Sequence, residues 1–286
     1  MIDKQCVVCA GHLQEGCTDW HFLCRNCGYE LGELQPAINA PDAHQEIDEC
    51  AREAGLRALR QSNFEKLVEI IGRYWPTAGG RLLDVGAAHG WFLDAAAKYF
   101  RVLGIEPDNQ VFNAAQKQGK PIRQGYFPEA LHEGEIFDII VFNDVIEHIP
   151  DIQRILLACH ARLSPGGLLV LNLPSSKGVF YRVAKLLHGL GIYAPFERLW
   201  QKGLPSPHVH YFHAQNLGKL LSLHGFSEQA CGRLPTLQLR GLFTRISYTG
   251  EHSLLTRCVL YVLVAGSLPL LKMMPADIIY SVFKRQ

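Results

Sequence analysis

Long apolar runs alternate with helical patterns through the middle of the chain. "RLLDVGA" (81–87), "RVLGIEP" (101–107), "IFDIIVFND" (136–144) and "PGGLLVLNLP" (165–174) are too apolar to face water, so they predict strands buried inside a sheet. Between them "GWFLDAAAKYF", "NQVFNAAQKQ" and "DIQRILLACHARL" show helical spacing, and "PIRQGYF" (121–127) reads as a further short strand. Buried strands alternating with helices predict an α/β domain built on a doubly wound, mostly parallel sheet. Ahead of it, Leu56, Leu59, Phe64, Leu67, Ile70 and Ile71 recur at helical intervals over about 47–75, until Pro76, Gly79 and Gly80 stop the pattern. "LQPAINAPDAHQ" (34–45) holds two prolines and reads as a linker. Ligands of such sheets gather at the carboxyl ends of the strands. That directs attention to residues 84–90, 106–108, 125–127, 143–148 and 174–177.

Composition narrows the classes. Charged residues are 19% and apolar ones 48% of 286 residues, enough for a large core and against global disorder. Net charge is +1 with no basic run, which counts against a nucleic-acid partner. The opening "MIDKQCVVCAGH" lacks the basic and apolar blocks of a secretion signal. Nine cysteines then suggest a reducing, cytoplasmic setting with metal binding rather than disulfides.

Cys6 and Cys9 form one C-x2-C pair, Cys24 and Cys27 a second, with fourteen residues between the pairs. Two such knuckles can aim four thiolates at one point, the donor set of a closed, structural zinc site. Gly11 and Gly28 follow the pairs where a knuckle tolerates unusual dihedrals. The stretch resembles a zinc ribbon over residues 1–35. His12, Cys17 and His21 lie between the pairs and are read as spectators.

The turn "DVGAAHG" closes the first buried strand. It lacks the central glycine of a dinucleotide loop, and Asp84 would repel a pyrophosphate while suiting a cationic group. Glu106 ends the next strand, 22 positions on, where a carboxylate takes up ribose hydroxyls. Ribose, positive charge and no phosphate together fit S-adenosylmethionine.

"LLDVGAAHG", "GIEPD", "FDIIVFNDVIEHIPD", "LSPGGLLVLNLP" and "HVHYFHAQNLGKLLSLHGF" resemble successive motifs of class I S-adenosylmethionine-dependent methyltransferases of the ubiquinone O-methyltransferase group. The resemblance covers about 60–232 and extends to the last strand, "ADIIYSVFKR". It implies a Rossmann-like, seven-stranded sheet over 77–286, preceded by the linker and helix over 36–76. It implies that Asp84, Gly86 and Gly90 hold the methionine portion, that Glu106 binds the ribose, that Asn143 lies beside the cofactor, and that Tyr126 and Phe127 meet the adenine. It also implies a lid over the acceptor at about 175–213, where Phe180, Tyr181, Tyr193, Phe196 and Trp200 suit an apolar or aromatic small molecule.

Methyl transfer to a hydroxyl gains from a base titrating near neutrality. His148, at the mouth of the fourth strand, and His210, in "PHVHYFH", are the candidates. His208 and His210 lie two apart, but the sequence offers no third metal ligand beside them. O-methylation is favoured over N- or C-methylation. An RNA methyltransferase that reads RNA with the ribbon and a non-catalytic binding protein with a degenerate domain are the alternatives. Near-neutral charge opposes the first, and intact Asp84 and Glu106 oppose the second.

The apolar segment near the end (252–275) is uncharged for only fourteen residues, 258–271, and contains Pro269. A span needs about twenty residues. A strand expected just after it would also be pulled from the sheet. A hydrophobic helical insertion is therefore predicted, suited to covering the cleft, forming a homodimer contact or touching a membrane peripherally.

Overall fold

The computed structural model describes residues 4–39, 49–77, 79–248 and 253–286. The distal part of the predicted linker (40–45), the predicted helix start at Ile47, and His252 at the edge of the apolar insertion lie outside the described residues. The main sheet has seven strands: β4 (Arg81–Val85), β5 (Arg101–Glu106), β6 (Ile122–Gln124), β7 (Phe137–Asn143), β8 (Leu163–Pro174), β10 (Phe226–Leu234) and β11 (Ile278–Arg285). Their order is β10-β11-β8-β7-β4-β5-β6, parallel from β8 to β6 and antiparallel on both sides of β11. This is the predicted α/β, Rossmann-like arrangement. The seventh strand of the expected sheet, β10, is one that no segment of the sequence marked: it lies at the sheet edge with only its first and last residues buried, so it lacks the apolar run of its buried neighbours.

Helix α1 (Glu49–Tyr74) lays Phe64, Leu67, Val68 and Ile71 on one face of the sheet, where they join Leu82, Ile139, Val141 and Val170 in a shared core. On the other face α4 (Ile152–Arg162) and α7 (Ala214–Ser222) bury Ile155, Leu156, Leu217 and Leu220. α2 (Trp91–Ala96) and α3 (Asn109–Lys117) cover the β4–β5–β6 end, and the Asp108 carboxylate caps α3 by accepting from the Gln110 and Val111 amides.

The N-terminal strands β1 (Leu13–Glu15), β2 (His21–Cys24) and β3 (Glu30–Gly32) form a second sheet, whose fourth strand is β9 (His210–Tyr211). The ribbon is thus not a free-standing module: it completes its sheet with the far end of the predicted lid. The lid helices α5 (Val179–Gly189) and α6 (Ala194–Leu199) explain why. Their Tyr181 and Phe196, with Trp200 and Tyr211, close on Trp20 of the ribbon, and all are nearly or fully buried. A large aromatic side chain hides roughly 150–250 Å², on the order of 4–6 kcal/mol of transfer free energy at about 25 cal/mol per Å². This cluster therefore anchors the ribbon more firmly than any surface ion pair could.

A buried polar network adds direction. Glu30 accepts from His21 Nε2 at 2.6 Å, the Tyr181 hydroxyl at 2.7 Å and Lys185 Nζ at 3.0 Å. Burial pushes the Glu30 carboxyl up, but His21, Lys185 and Tyr181 outweigh it and hold the carboxyl below its ordinary range. His21 also accepts the Cys17 amide at 2.9 Å, in keeping with its reading as a spectator of the cysteine cluster.

Candidate active site

A cleft of about 370 Å³ opens at the carboxyl ends of β4, β5 and β7. Gly86 begins its floor at φ 74°, and a Cβ there would stand 2.5 Å from Val145 Cγ2, so only glycine fits. Ala88 occupies the position of the missing central glycine and itself adopts φ 46°. Its amide donates to Glu106 Oε2 at 2.8 Å, which offsets part of the cost of that conformation. Gly90, at φ 74°, starts α2 and packs on Lys120 rather than on the cleft.

The sequence-predicted residues divide into two layers. Gly86, Glu106 and Asn143 line the cleft, as do Tyr126 and Phe127. Asp84 lies behind them, 1% exposed, and its Oδ1 accepts from Asn143 Nδ2 at 3.1 Å. Burial, reinforced by the neighbouring Glu106 charge and only partly opposed by Asn143, raises the Asp84 carboxyl to about 8. Glu106 is raised to about 7, again chiefly by burial, although it accepts the Ala88 and Asp108 amides. Each Glu106 oxygen takes one amide and keeps a lone pair for a ligand hydroxyl. Two buried carboxylates this close favour a ligand that brings positive charge.

His148 lines the cleft opposite this wall. Its Nδ1–H donates to the Pro207 carbonyl at 2.9 Å, which fixes the ring against the segment before β9. His210 is corrected. It is 1% exposed and lies outside the cleft lining; its Nε2–H donates to the Ile149 carbonyl at 2.9 Å, and its Nδ1 accepts the Tyr29 hydroxyl at 2.5 Å. Burial drops it to about 4. It braces the ribbon against the loop after His148 and has no nitrogen left for an acceptor proton.

His208 and His210 do not share a cluster: His208 gathers with Glu147 and His148, and His210 stands apart. The ligand atoms of Glu147, His148 and His208 lie within 4.8 Å of one another. Glu147 is buried with both oxygens unpartnered among the described residues, and burial pushes its carboxyl well above the usual range.

The lid aromatics also require a correction. Tyr181, Phe196 and Trp200 face the ribbon, and the lid contributes instead Gln201, Leu204, Pro205 and Ser206 to the cleft. Pro36 and Ile38, read as linker, form another wall. That strand of chain is tied down by Ala37 N–H to the Pro205 carbonyl (2.7 Å) and Asn39 Nδ2 to the Pro107 carbonyl (2.9 Å). Arg60 and Asp144, 3.8 Å apart, also line the cleft. Asp144 lay within the quoted motif, but nothing in the α1 pattern singled out Arg60.

In the N-terminal sheet the four predicted thiols converge. Cys6 and Cys27 Sγ are 3.5 Å apart, Cys9 and Cys24 Sγ 3.4 Å, and all four lie within 4.8 Å of one another. Zinc–sulfur bonds of about 2.3 Å in a tetrahedron need sulfur spacings near these, so the donor set fits zinc. The left-handed residues of the knuckles are Ala10 (φ 55°) and Gly28 (φ 70°). Gly11 serves differently from expectation: a Cβ there would collide with Asn26 Nδ2 at 2.6 Å.

The comparisons agree with this geometry. A family model described as a methyltransferase domain matches residues 45–229. The ubiquinone biosynthesis O-methyltransferase of Paramagnetospirillum magneticum is 37% identical over 101 residues, 33% of this chain and 41% of that protein. The chain thus spans less than half the length of such curated relatives. A solved S-adenosylmethionine-dependent methyltransferase of Thermotoga maritima, described as a possible histamine N-methyltransferase, superposes with TM-score 0.55 at 15% identity, covering 85% of this chain and 97% of that one. Magnesium protoporphyrin IX methyltransferase of Synechocystis, solved with bound S-adenosylhomocysteine, gives 0.53 at 14% identity, covering 84% and 89%. At such identities these two structures speak for the fold alone.

Proposed function

This chain belongs to the class I S-adenosylmethionine-dependent methyltransferases, and on that premise we propose that it methylates a hydroxyl of a small molecule held between the Glu106–Asn143 wall and His148. The observation that carries the reading is Glu106: a buried carboxylate at the end of β5, facing the cleft, with lone pairs left for ribose hydroxyls. Gly86 gives the methionine portion room, Asn143 presents its amide beside it, and Asp84 acts from behind through Asn143. When bound, S-adenosylmethionine supplies an electrophilic methyl for in-line displacement. The protein's share is alignment of the acceptor and removal of its proton by the His148 imidazole. The O-methyltransferase names of its relatives support a hydroxyl acceptor. The thiol-rich ribbon supports a cytoplasmic setting and one structural zinc on Cys6, Cys9, Cys24 and Cys27.

His148→Ala is expected to lower the turnover rate about 10²- to 10⁴-fold and to leave S-adenosylhomocysteine affinity unchanged. The check is S-adenosylhomocysteine formation with a panel of phenols and alcohols. His210→Ala should act on stability instead. It strands two buried partners at about 1–3 kcal/mol each, and thermal unfolding reads this as a lower Tm. Equal turnover for His148→Ala and the parent would remove the base from the mechanism.

The raised carboxyls give a pH signature. The folded apo protein holds protons on Asp84 and Glu106 that the unfolded chain has already lost, so these groups stabilise it most at low pH. That contribution fades as pH rises toward about 8. A cationic ligand favours the ionised forms. Binding should therefore release protons, tighten toward about a hundredfold per pH unit below about 7 where both groups give one up, by about tenfold per unit between about 7 and 8, and level off above about 8. Calorimetry in buffers of different ionisation enthalpy measures this. Flat affinity from pH 6 to 8.5 would refute the linkage.

A further inference from the structure

Helix α9 (Leu254–Met273) is twenty residues long, and none of its residues is buried. One stripe, including Leu260, Val264, Leu268 and Leu271, is partly covered by the body of the protein. The opposite stripe faces outward: Leu255, Val259, Val262, Leu263, Leu270 and Met273 are 50–84% exposed. A surface helix ordinarily turns polar residues outward, and an unbroken apolar face of this size marks an interaction site.

Three features identify what covers it. The first is charge. From 239 to 276 the chain carries Arg240, Arg245, Arg257 and Lys272 against a single acid, Glu251. Lys272 lies on α9 and is exposed, and the exposed Arg233 donates to the Lys272 carbonyl at 2.8 Å, so the C-terminal rim of the apolar face is cationic. The second is a neighbouring patch of the same kind. Val183, Leu186 and Leu190 of α5 are 47%, 67% and 70% exposed, and Phe180 at the start of α5 lines one groove with Leu268 and Leu271 of α9. The third is connectivity. α9 follows α8 (Leu242–Tyr248), which packs on α1, and precedes β11 inside the sheet. Five residues join it to α8 and four to β11. A helix of this length measures about 30 Å, whereas five residues reach at most about 18 Å. With both ends returned to one body the helix cannot cross a bilayer core of about 30 Å; it can only lie along its surface.

We propose that α9 docks the protein on a lipid bilayer with anionic headgroups, its Leu255–Met273 stripe sunk among the acyl chains and the Arg233 and Lys272 side chains on phosphates. The inner apolar stripe of α9 packs on the body of the protein and the outer one is left to the acyl chains, so the helix lies in the membrane plane with the protein on one side and lipid on the other. The inference does not depend on the methyl-transfer reading.

Flotation of the full chain with vesicles tests it, using phosphatidylcholine alone and phosphatidylcholine with phosphatidylglycerol. The chain should float with the anionic vesicles and lose that association as salt is raised. Val262→Asp with Leu263→Asp should reduce the floating fraction at least tenfold. Both side chains are exposed, so the Tm should stay the same; Val262→Leu with Leu263→Val should float like the parent. Parent chain that remains unbound to both vesicles overturns the proposal. So does an aspartate pair that floats normally. If the parent stays unbound and is a dimer that the aspartate pair splits, the occupant is a second copy and the lipid assignment is wrong.

Discussion

Glu106→Ala is expected to weaken S-adenosylhomocysteine binding by about 10²- to 10⁴-fold, the loss of two hydroxyl bonds to a charged acceptor at about 1.5–3 kcal/mol each. The same substitution leaves the Ala88 and Asp108 amides without their acceptor. That loosens the turn holding Ala88 in its left-handed conformation. The folded apo protein should suffer less than the complex, because ionised Glu106 is itself disfavoured by burial. Glu106→Gln separates the contributions: it keeps the shape and an acceptor oxygen but turns N–H groups toward one backbone donor. Its affinity should fall between the two. Calorimetric titration beside thermal unfolding is the check, and an alanine variant within about threefold of the parent affinity would remove Glu106 from the site.

Cys24→Ser with Cys27→Ser should cost the protein its zinc and its lid together. Structural zinc contributes about 10–16 kcal/mol in zinc-finger peptides, against net stabilities of about 5–15 kcal/mol for whole domains. With zinc on the four thiols as proposed, losing the metal is expected to release the ribbon strands. Its loss releases Trp20 from Phe196 and Trp200, frees β9, and removes the Tyr29 hydroxyl from His210. The Gln201 and Leu204–Ser206 wall follows, because it hangs from the same helices. The variant should contain no zinc, its tryptophan emission should shift to longer wavelength, and its Tm should drop. Retained zinc, or unchanged emission in zinc-free protein, would contradict the brace. Ribbon strands tied in this way have one face committed to the lid, which leaves less surface for the RNA-reading alternative.

How far the sequence carried depended on where each residue's partners lie. β4, β5, β7 and β8 were legible because a strand buried on both faces leaves an apolar run in its own sequence. The C-x2-C pairs were legible because a metal knuckle is local. Gly86, Glu106 and Asn143 were placed correctly on the cleft because strand ends and the turn between β4 and α2 set them within a short stretch. His210 was misjudged for the opposite reason. Its two partners are Tyr29 and Ile149, far away in the chain, and no spacing rule reveals that both nitrogens are occupied. The lid aromatics failed likewise. An aromatic helix face is equally good against a ligand or against Trp20, and only the pairing of β9 with β3 shows which it meets. Pro36 and Ile38 looked like linker because prolines stop regular structure, yet two hydrogen bonds hold that segment over the cleft. The apolar stripe of α9 was visible in sequence, but which side of it faces outward required the fold.

The most direct test of the account is calorimetric titration of the full chain at pH 8 with S-adenosylhomocysteine and, separately, with NAD. One saturable site for S-adenosylhomocysteine and no heat of binding from NAD are predicted. The reverse pattern, NAD bound and S-adenosylhomocysteine not, would contradict it.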